Sequence, residues 1–324
     1  MSAPSGRTDY LQYTSGSLVL LATALMWGVQ FPVAKSAFDS VNAFHAAVYR
    51  FGIASLILIV VLSALEGRSA FTVNADTRKV WLAGLLGMCG APTLIFGGLM
   101  FTRPEIAAII VATQPILAVL VQRFAGGELP GWRTVSCVLL AFAGVITVVT
   151  EWKADLLQSP LEMVGNVMVL AGALCWVLYT IACGRLAHWS NLRLTTWSMV
   201  SGLAGNILVM VVLVGLGLLA HPSTDDWFQA RYELTFLTYI GVLLGMFAWT
   251  LGSRRIGALN AMLFTNLIPV ATFFVRYVQG YRFSVLELSG ALMVICALIL
   301  QNLVLRRRLT CIIHEDSPSR VNIR

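Results

Sequence analysis

Apolar runs of about twenty residues follow one another along almost the whole chain, and short charged or turn-forming groups separate them. A helix needs about 20 apolar residues to cross the hydrocarbon core of a bilayer. Only 11% of the 324 residues are charged, whereas soluble domains carry about 25%. The sequence therefore predicts an all-α integral membrane protein, and no segment between the runs is long enough for a separate soluble domain.

The runs predict ten transmembrane helices joined by short loops. Their expected bounds are residues 17–37, 44–65, 80–100, 104–123, 132–150, 162–184, 194–220, 234–252, 257–278 and 285–305. The first run begins like a secretion signal after Arg7 but stays apolar as far as Ala37. We therefore expect an uncleaved first span.

Lysine and arginine are distributed unevenly between the loops. With the N-terminus in the cytoplasm, fifteen of the 22 lie on the cytoplasmic side and five on the opposite side. Cytoplasmic loops carry an excess of these residues, so we expect both termini to be cytoplasmic, with residues 306–324 as a basic tail. The net charge of +7 then faces anionic lipid, and nucleic acid is not an expected partner.

The second half of the sequence repeats features of the first half in the same order. Three pairs of segments match: Leu25-Met26-Trp27 with Leu174-Cys175-Trp176, Gly87-Met88 with Gly245-Met246, and the apolar stretch around Pro115 with the one around Pro269. The repeats cover residues 17–150 and 162–305, with five predicted helices each. Because five is odd, the second copy is inverted relative to the first, and the interface of such repeats is where a transported substrate binds.

Each proline-centred stretch carries an amide side chain close to its proline. Gln114 directly precedes Pro115, and Asn266 lies three residues before Pro269. A proline within a helix frees a backbone carbonyl and bends the axis. In a membrane such a break persists where it faces protein or a water-lined cavity, so matching breaks in two repeats predict the site.

These features resemble the drug/metabolite transporter superfamily, in particular its EamA-type ten-helix permeases. The resemblance covers nearly the whole chain and lies in the following segments: Ala24-Leu-Met-Trp-Gly28, Tyr49-Arg-Phe51, Gln114-Pro-Ile116, Gly127-Glu-Leu129 and Asn266-Leu-Ile-Pro269. It implies transport of small metabolites, often amino acids, across a cell inner membrane without ATP. The second copy has Gly280-Tyr-Arg282 where the family usually repeats the Gly-Glu turn, so Glu128 is given no shared role.

Aromatic and amide side chains recur on one face of the first and sixth predicted helices and in matching later elements. Aromatic surfaces with one polar atom each suit a substrate with an apolar body and a polar head, although helix packing is an alternative reading. The predicted substrate-binding residues are Trp27, Gln30, Thr93, Gln114, Pro115, Trp176, Tyr179, Trp249, Asn266 and Pro269.

Arg50 is the costliest residue to place, because a central arginine costs about 2.5–3.5 kcal/mol on insertion scales. It either reaches outward or to backbone carbonyls, or it anchors an anionic substrate group. Lys35 is expected to reach the membrane boundary from the end of its helix. No predicted helix has a carboxylate at its middle, which leaves facilitated efflux or proton coupling through an unusual group.

Other kinds of chemistry have little support in the sequence. The six cysteines show no Cys-x-x-Cys spacing, so no metal site or disulfide framework is expected. No Walker lysine and no catalytic constellation occur, so we expect neither an enzyme nor a cofactor. The expected partners are a small-molecule substrate and the bilayer, and a homodimer is left open.

The main hypothesis is a permease that exports a small amphipathic metabolite, with amino acids as the leading class, by alternating access. Two alternatives within transport are import of a ring-containing metabolite such as a vitamin and export of an opine-like metal chelator. A membrane scaffold that transports nothing is the alternative from another class.

Overall fold

The computed structural model describes residues 6–124, 132–150, 160–186, 188–297 and 299–300. Within these ranges the regular elements are helical, and eight helices are long and apolar enough to cross a membrane. Two further apolar helices, α5 and α10, are shorter in their apolar part. In chain order the helices are α1 Gly6–Ala37, α2 Ala43–Glu66, α3 Ala75–Leu99, α4 Pro104–Phe124, α5 Trp132–Thr150, α6 Pro160–Gly184, α7 Asn191–Gly215, α8 Arg231–Ile256, α9 Asn260–Val278 and α10 Val285–Ala297.

Several predicted helix bounds are wrong, and α1 already begins at Gly6 and not at residue 17. The seventh helix was expected to reach residue 220 but ends at Gly215, and Gly217 takes φ 70° two residues later. A left-handed glycine is a common stop signal just past a helix end. The eighth helix was expected to end at residue 252 but continues to Ile256. The turn around Glu128 and the predicted tail 306–324 lie outside the described residues.

Polar side chains set where several helices begin. The Asn42 side chain accepts the backbone N–H groups of Phe44 and His45 at the start of α2, and Ser190 accepts that of Arg193 at the start of α7. Such caps satisfy N–H groups that have no partner within the helix. These two helices therefore start where the sequence has Asn or Ser next to an apolar run.

The helix ends meet in two groups, which define the two ends of the bundle. At the end where α1 stops, called the distal end, Lys35 Nζ donates to the carbonyls of Leu99, Met100 and Thr102 at 2.8–3.0 Å. At the opposite, proximal end, Arg255 bonds Ser15. Lys35 thus satisfies carbonyls left open at the C-terminus of α3, which also favours a positive charge there.

Two prolines each leave a backbone carbonyl without its usual helical donor, and a side chain from the other half of the sequence donates a hydrogen bond to that carbonyl. Pro32 lies inside α1, so it cannot donate to Gly28, and the Thr272 hydroxyl of α9 donates to that carbonyl at 2.8 Å. Pro92 likewise cannot donate to Met88, whose carbonyl accepts from Asn206 Nδ2 of α7 at 3.0 Å. These bonds hold the helix breaks in place and join α1 to α9 and α3 to α7.

Four helices change their winding near mid-length. Wide π turns occupy Leu85–Gly90 in α3 and Leu237–Leu244 in α8. A 3₁₀ segment occupies Leu263–Leu267 in α9, and α4 is interrupted at Thr113, directly before Gln114 and Pro115. Such irregular turns are frequent at functional sites, and here they fall in α3 and α8, and in α4 and α9, which the sequence pairs with each other.

Two glycines at these turns let aromatic side chains of neighbouring helices contact the helix backbone. A Cβ on Gly87 of α3 would overlap the ring of Tyr179, and one on Gly245 of α8 would lie 2.5 Å from Trp27 Nε1. The aromatic side chains of α1 and α6 therefore pack directly on the backbones of α8 and α3. Only a residue without a side chain permits that approach.

Candidate functional site

A cavity lies among α1, α3, α4, α6, α8 and α9, next to the irregular turns. It has a volume of about 460 Å³, which includes space that is open to the outside. Its walls are mostly apolar, with two amides and two indoles: they are Trp27, Gln30, Phe31, Gly87, Ala91, Pro92, Ile95, Phe96, Val111, Gln114, Trp176, Met246 and Ile268. An apolar pocket with a few convergent polar groups is the usual form of a small-molecule site.

Three indoles from α1, α6 and α8 form an aromatic cluster at one side of this cavity. The ring of Trp27 lies 5.2 Å from that of Trp176 and 5.1 Å from that of Trp249, and Tyr179 lies 5.2 Å from Trp176. All four side chains are buried. Aromatic pairs at these distances add about 0.5–1.5 kcal/mol each beyond their burial, so the cluster is a firm contact between helices from both halves of the sequence.

The three indole N–H groups of the cluster differ in their hydrogen bonds. Trp27 Nε1 donates to the Gly241 carbonyl in the π turn of α8 at 3.0 Å, and Trp249 Nε1 lies 3.4 Å from the Thr180 hydroxyl. Trp176 Nε1 is buried and has no hydrogen-bond partner among the described residues. Leaving such a donor unpaired costs about 1–3 kcal/mol, and Trp176 forms part of the cavity wall.

The amide of Gln114 shows the same feature on the opposite side of the cavity. Its side chain is 2% exposed, and Oε1 has no hydrogen-bond partner in the described part of the chain. The interruption of α4 at Thr113 places Gln114 at the start of a new helical segment. Trp176 and Gln114 thus give the cavity wall a donor and an acceptor that have no hydrogen-bond partner within the described ranges.

Arg50 of α2 lies behind the cavity wall. It is 3% exposed, its Nη2 donates to Gln30 Oε1 at 3.2 Å, and its guanidinium carbon lies 4.7 Å above the centre of the Phe96 ring. Its Nε has no partner, and no carboxylate within the described ranges pairs with it. Gln30 and Phe96 both line the cavity, so both contacts of this cation are wall residues.

The other predicted site residues lie outside the cavity wall. Thr93 donates to Asn206 Oδ1 at 2.8 Å on the α7 side of α3, and Pro115 is buried beside Gln114. Pro269 follows Ile268, which does line the cavity, and Asn266 Oδ1 has no partner in the described residues. Substrate contact by these four residues stays a prediction.

Sequence reasoning missed several apolar wall residues. Ile95, Phe96, Val111, Met246 and Ile268 line the cavity, but in sequence they look like any apolar residue of a membrane helix. The repeated Pro and Gly positions nearby were the only signal that could have indicated their region. Phe96 in particular is distinguished by its contact with Arg50, which no sequence spacing reveals.

A network of charged side chains closes the distal end of the bundle. Arg103 Nη1 bonds Glu287 Oε1 at 2.6 Å and Tyr281 Oη at 2.8 Å, and Arg276 Nε bonds Glu105 Oε2 at 3.2 Å. Glu105 is 0% and Glu287 is 1% exposed. The network, which also includes Glu162 at 3.7 Å from Arg103, ties the start of α4 to α6, α9 and α10.

The surroundings within this network change the pKa values of its two members that lie in loops, Tyr281 and Arg103. Burial and a hydrogen bond to Glu287 raise the pKa of the Tyr281 hydroxyl to about 12. Burial alone would lower the pKa of Arg103, but the surrounding Tyr281, Glu287, Glu105 and Glu162 raise it above its ordinary value. Both groups therefore keep their protons at neutral pH, and the network stays intact there.

The comparisons with known proteins agree on one family. The model of the EamA-like transporter family matches residues 14–150 and again residues 163–303. The uncharacterized transporter YrdR of Bacillus subtilis is 26% identical over 296 residues, which covers 90% of this chain and 92% of that protein. The uncharacterized transporter YyaM of the same organism is also 26% identical, over 290 residues, 89% of this chain and 94% of that protein.

One relative carries a substrate in its name, and one solved structure shares the fold. The aromatic amino acid exporter YddG of Ancylobacter novellus is 24% identical over 287 residues, or 88% of this chain and 94% of that protein. A crystal structure matches with a TM-score of 0.66 at 21% identity and covers 91% of this chain and 99% of the other. At that identity the match concerns the fold alone.

Proposed function

Since the chain belongs to the EamA-like transporter family and is a multi-pass membrane transporter, we propose that it exports a small amphipathic metabolite across a cell inner membrane, with amino acids as the leading class. The observation that carries this proposal is the cavity among the interrupted helices. Its indoles and apolar residues suit an apolar body, while Trp176 Nε1 and Gln114 Oε1 are left without partners. The aromatic amino acid exporter among the relatives supports the substrate class.

The architecture in this proposal is two inverted repeats of five transmembrane helices, residues 17–150 and 162–305, with both termini in the cytoplasm. The family model matches the chain twice, over nearly these ranges. The π turns of α3 and α8, and the breaks of α4 and α9, fall in elements that the two repeats would relate. A site at the interface of inverted repeats is common in secondary transporters.

Alternating access then requires each end of the cavity to open in turn. At the distal end, the Arg276–Glu105 contact between α9 and α4 has to separate. On the other side, the indoles of Trp27, Trp176 and Trp249 have to part. The irregular turns in α3, α4, α8 and α9 supply the points where the helices bend without losing further hydrogen bonds.

The direct test is transport into and out of proteoliposomes that contain purified protein and a mixture of labelled amino acids. We expect saturable flux that falls at least about tenfold in Trp176→Ala, Gln114→Ala or Asn266→Ala, because each removes a polar or aromatic contact at the proposed site. The exposed Trp132, 77% exposed, provides the matched control Trp132→Ala, which keeps full flux. If all three site variants transport as well as the wild type, the site assignment is wrong. Vitamins and opine-like chelators are added as competitors, and inhibition of flux by one of them would identify another substrate.

A further inference from the structure

We propose that Arg50 is the anchor for a carboxylate on the transported molecule, and that this carboxylate replaces Gln30 as the hydrogen-bond acceptor of Arg50 when the molecule binds. The inference rests on the proposed function, because it assigns a substrate group to the same cavity. It makes the substrate an organic acid or zwitterion with one carboxylate, rather than any small apolar compound.

The first argument is the unbalanced charge. Arg50 lies in a helix of membrane-spanning length and is 3% exposed, yet its described contacts are one neutral amide oxygen and one aromatic ring. The buried acids Glu105 and Glu287 bond Arg276 and Arg103 at the distal end instead. A buried cation without a counter-charge is costly, and a bound anion would remove that cost.

The structural alternative for Arg50 has no support in its contacts. A side chain that reached outward to the boundary would be exposed, and one that paired with backbone would bond carbonyls. Arg50 is buried, and its described hydrogen bond goes to the side chain of Gln30. Its Nε is left without a described partner, so the guanidinium has an unused donor as well as an unbalanced charge.

The second argument is the position of Gln30. This side chain lines the cavity and places its oxygen 3.2 Å from Arg50 Nη2, where an oxygen of a carboxylate would accept the same hydrogen bond. Gly241 in the π turn of α8 leaves room for that oxygen, because a Cβ there would overlap Gln30 Oε1. A rotation of Gln30 would therefore open a path from the cavity to the guanidinium.

The ligand chemistry follows from the donors and the walls. A guanidinium presents a planar fork of donors that matches a carboxylate with two parallel hydrogen bonds. Among the described residues the cavity wall holds no acid, so an amine without a carboxylate would find no counter-charge. Gln114 also lines the cavity, and its Oε1 has no hydrogen-bond partner among the described residues, so this oxygen suits the ammonium group of an amino acid.

The experiment compares each acid with the carboxamide in which an uncharged amide replaces the carboxylate. Purified full-length protein is titrated with phenylalanine, leucine and other non-fluorescent amino acids, and with their carboxamides, while the fluorescence of the nine tryptophans reports binding. We expect the acid to bind at least about tenfold more tightly than its amide. Equal affinity within the pairs, or no saturable response to any acid of the set, overturns the inference.

Two variants test the proposed role of Arg50: one removes its charge, and the other supplies a competing carboxylate. Arg50→Gln removes the charge and is expected to abolish the preference for the acid. Gln30→Glu keeps Arg50 but supplies an internal carboxylate of nearly the same shape, so it is expected to weaken acid binding at least about tenfold and to lower the ratio of acid affinity to amide affinity. Arg231→Gln is the control, because that arginine also stacks on an aromatic ring, Phe228, but away from the cavity.

The two variants and a flux assay separate the possible failures. If Arg50→Gln does not fold, Gln30→Glu decides, and undiminished acid binding by that variant overturns the anchor. If proteoliposomes transport acids and amides equally well, the anchor is wrong and the transport proposal stands. If acids bind selectively but no compound is transported, the anchor stands and the transport proposal fails.

Discussion

Two buried charges, Glu105 and Arg50, have opposite surroundings in this protein. Glu105 accepts a hydrogen bond from Arg276 and lies 3.9 Å from Arg103, although its Oε1 has no hydrogen-bond partner in the described residues. Among the described residues, Arg50 has a hydrogen bond to Gln30 and a cation–π contact with Phe96, and no acidic partner. Removal of one partner from a buried ion pair leaves an uncompensated charge, whereas an intramembrane charge without a counter-charge points to a functional site.

The first prediction concerns Glu105. Replacing it with alanine leaves Arg276 without its buried partner, so Glu105→Ala is expected to lower the free energy of unfolding in detergent by about 3–5 kcal/mol. Lys79→Ala breaks the exposed pair with Asp76, in which Lys79 is 69% exposed, and is expected to cost at most about 1 kcal/mol. Thermal unfolding of both variants measures the difference, and equal losses would show that burial does not strengthen the Glu105 contact.

At the scale of elements, α1 and α9 are joined through a helix break. Pro32 leaves the Gly28 carbonyl without its normal donor, and Thr272 supplies one. The contact therefore compensates for a local defect in α1 and connects the first half of the sequence to the second. A polar bond of this kind within a membrane protein is worth about 0.6 kcal/mol and at most about 1.7 kcal/mol.

The second prediction tests that compensation with a double-mutant cycle. Thr272→Val keeps the shape but removes the hydroxyl, and it is expected to lower stability by about 0.6–1.7 kcal/mol. In a Pro32→Ala background the backbone N–H of residue 32 donates to Gly28, so the same substitution is expected to cost almost nothing. The melting temperatures of the four proteins give the coupling energy, and identical costs in both backgrounds would refute the compensation.

The third prediction concerns the close contact between α3 and α6. Gly87→Ala places a methyl group within the ring of Tyr179, so we expect the two helices to separate and ligand binding to fall at least about tenfold. Gly184→Ala, at the end of α6, meets no atom within 4 Å and is expected to bind ligand normally. Fluorescence titration measures both, and normal binding by Gly87→Ala would mean that this contact is not needed for the site.

At the scale of the whole molecule, different kinds of contact hold the helices together on two sides of the cavity. Ion pairs join α4, α6, α9 and α10 at the distal end, and edge-on and tilted indole contacts join α1, α6 and α8 beside the cavity. Salt screens partly exposed charges but not aromatic packing, so conditions that weaken the ion pairs should favour opening of the distal end.

The fourth prediction measures that opening. In a background without the six native cysteines, Gln114→Cys is expected to react with a membrane-impermeant thiol reagent from either face of the membrane. Adding Arg276→Gln removes the contact with Glu105 and is expected to increase labelling from the distal face. Ala173→Cys, which is 0% exposed and outside the cavity wall, is the unlabelled control, and labelling of Gln114→Cys from one face only would contradict alternating access.

Much of the architecture could be predicted from the sequence, because few backbone structures can span a bilayer. Without water to satisfy backbone groups, each long apolar run has to be a helix, and the described residues contain eight helices of membrane-spanning length and two shorter apolar helices. At Gly215 the helix ends at glycines although the apolar run continues to Ala220, and at Ile256 polar residues extend a helix beyond its apolar run. There, capping and tertiary contacts decide the boundary, and apolar periodicity carries no information.

The sequence by itself determined that this protein is helical, lies in a membrane and belongs with a family of transporters, since composition and the order of short motifs suffice for each. It also indicated Trp27, Gln30, Gln114 and Trp176, which line one cavity. Only the tertiary structure decided that Arg50 faces Gln30 and Phe96, that Glu105 pairs with Arg276, and which indole nitrogen lacks a partner. Those facts depend on atoms brought together from distant segments, and the free energy of a buried polar group depends on the few ångströms around it.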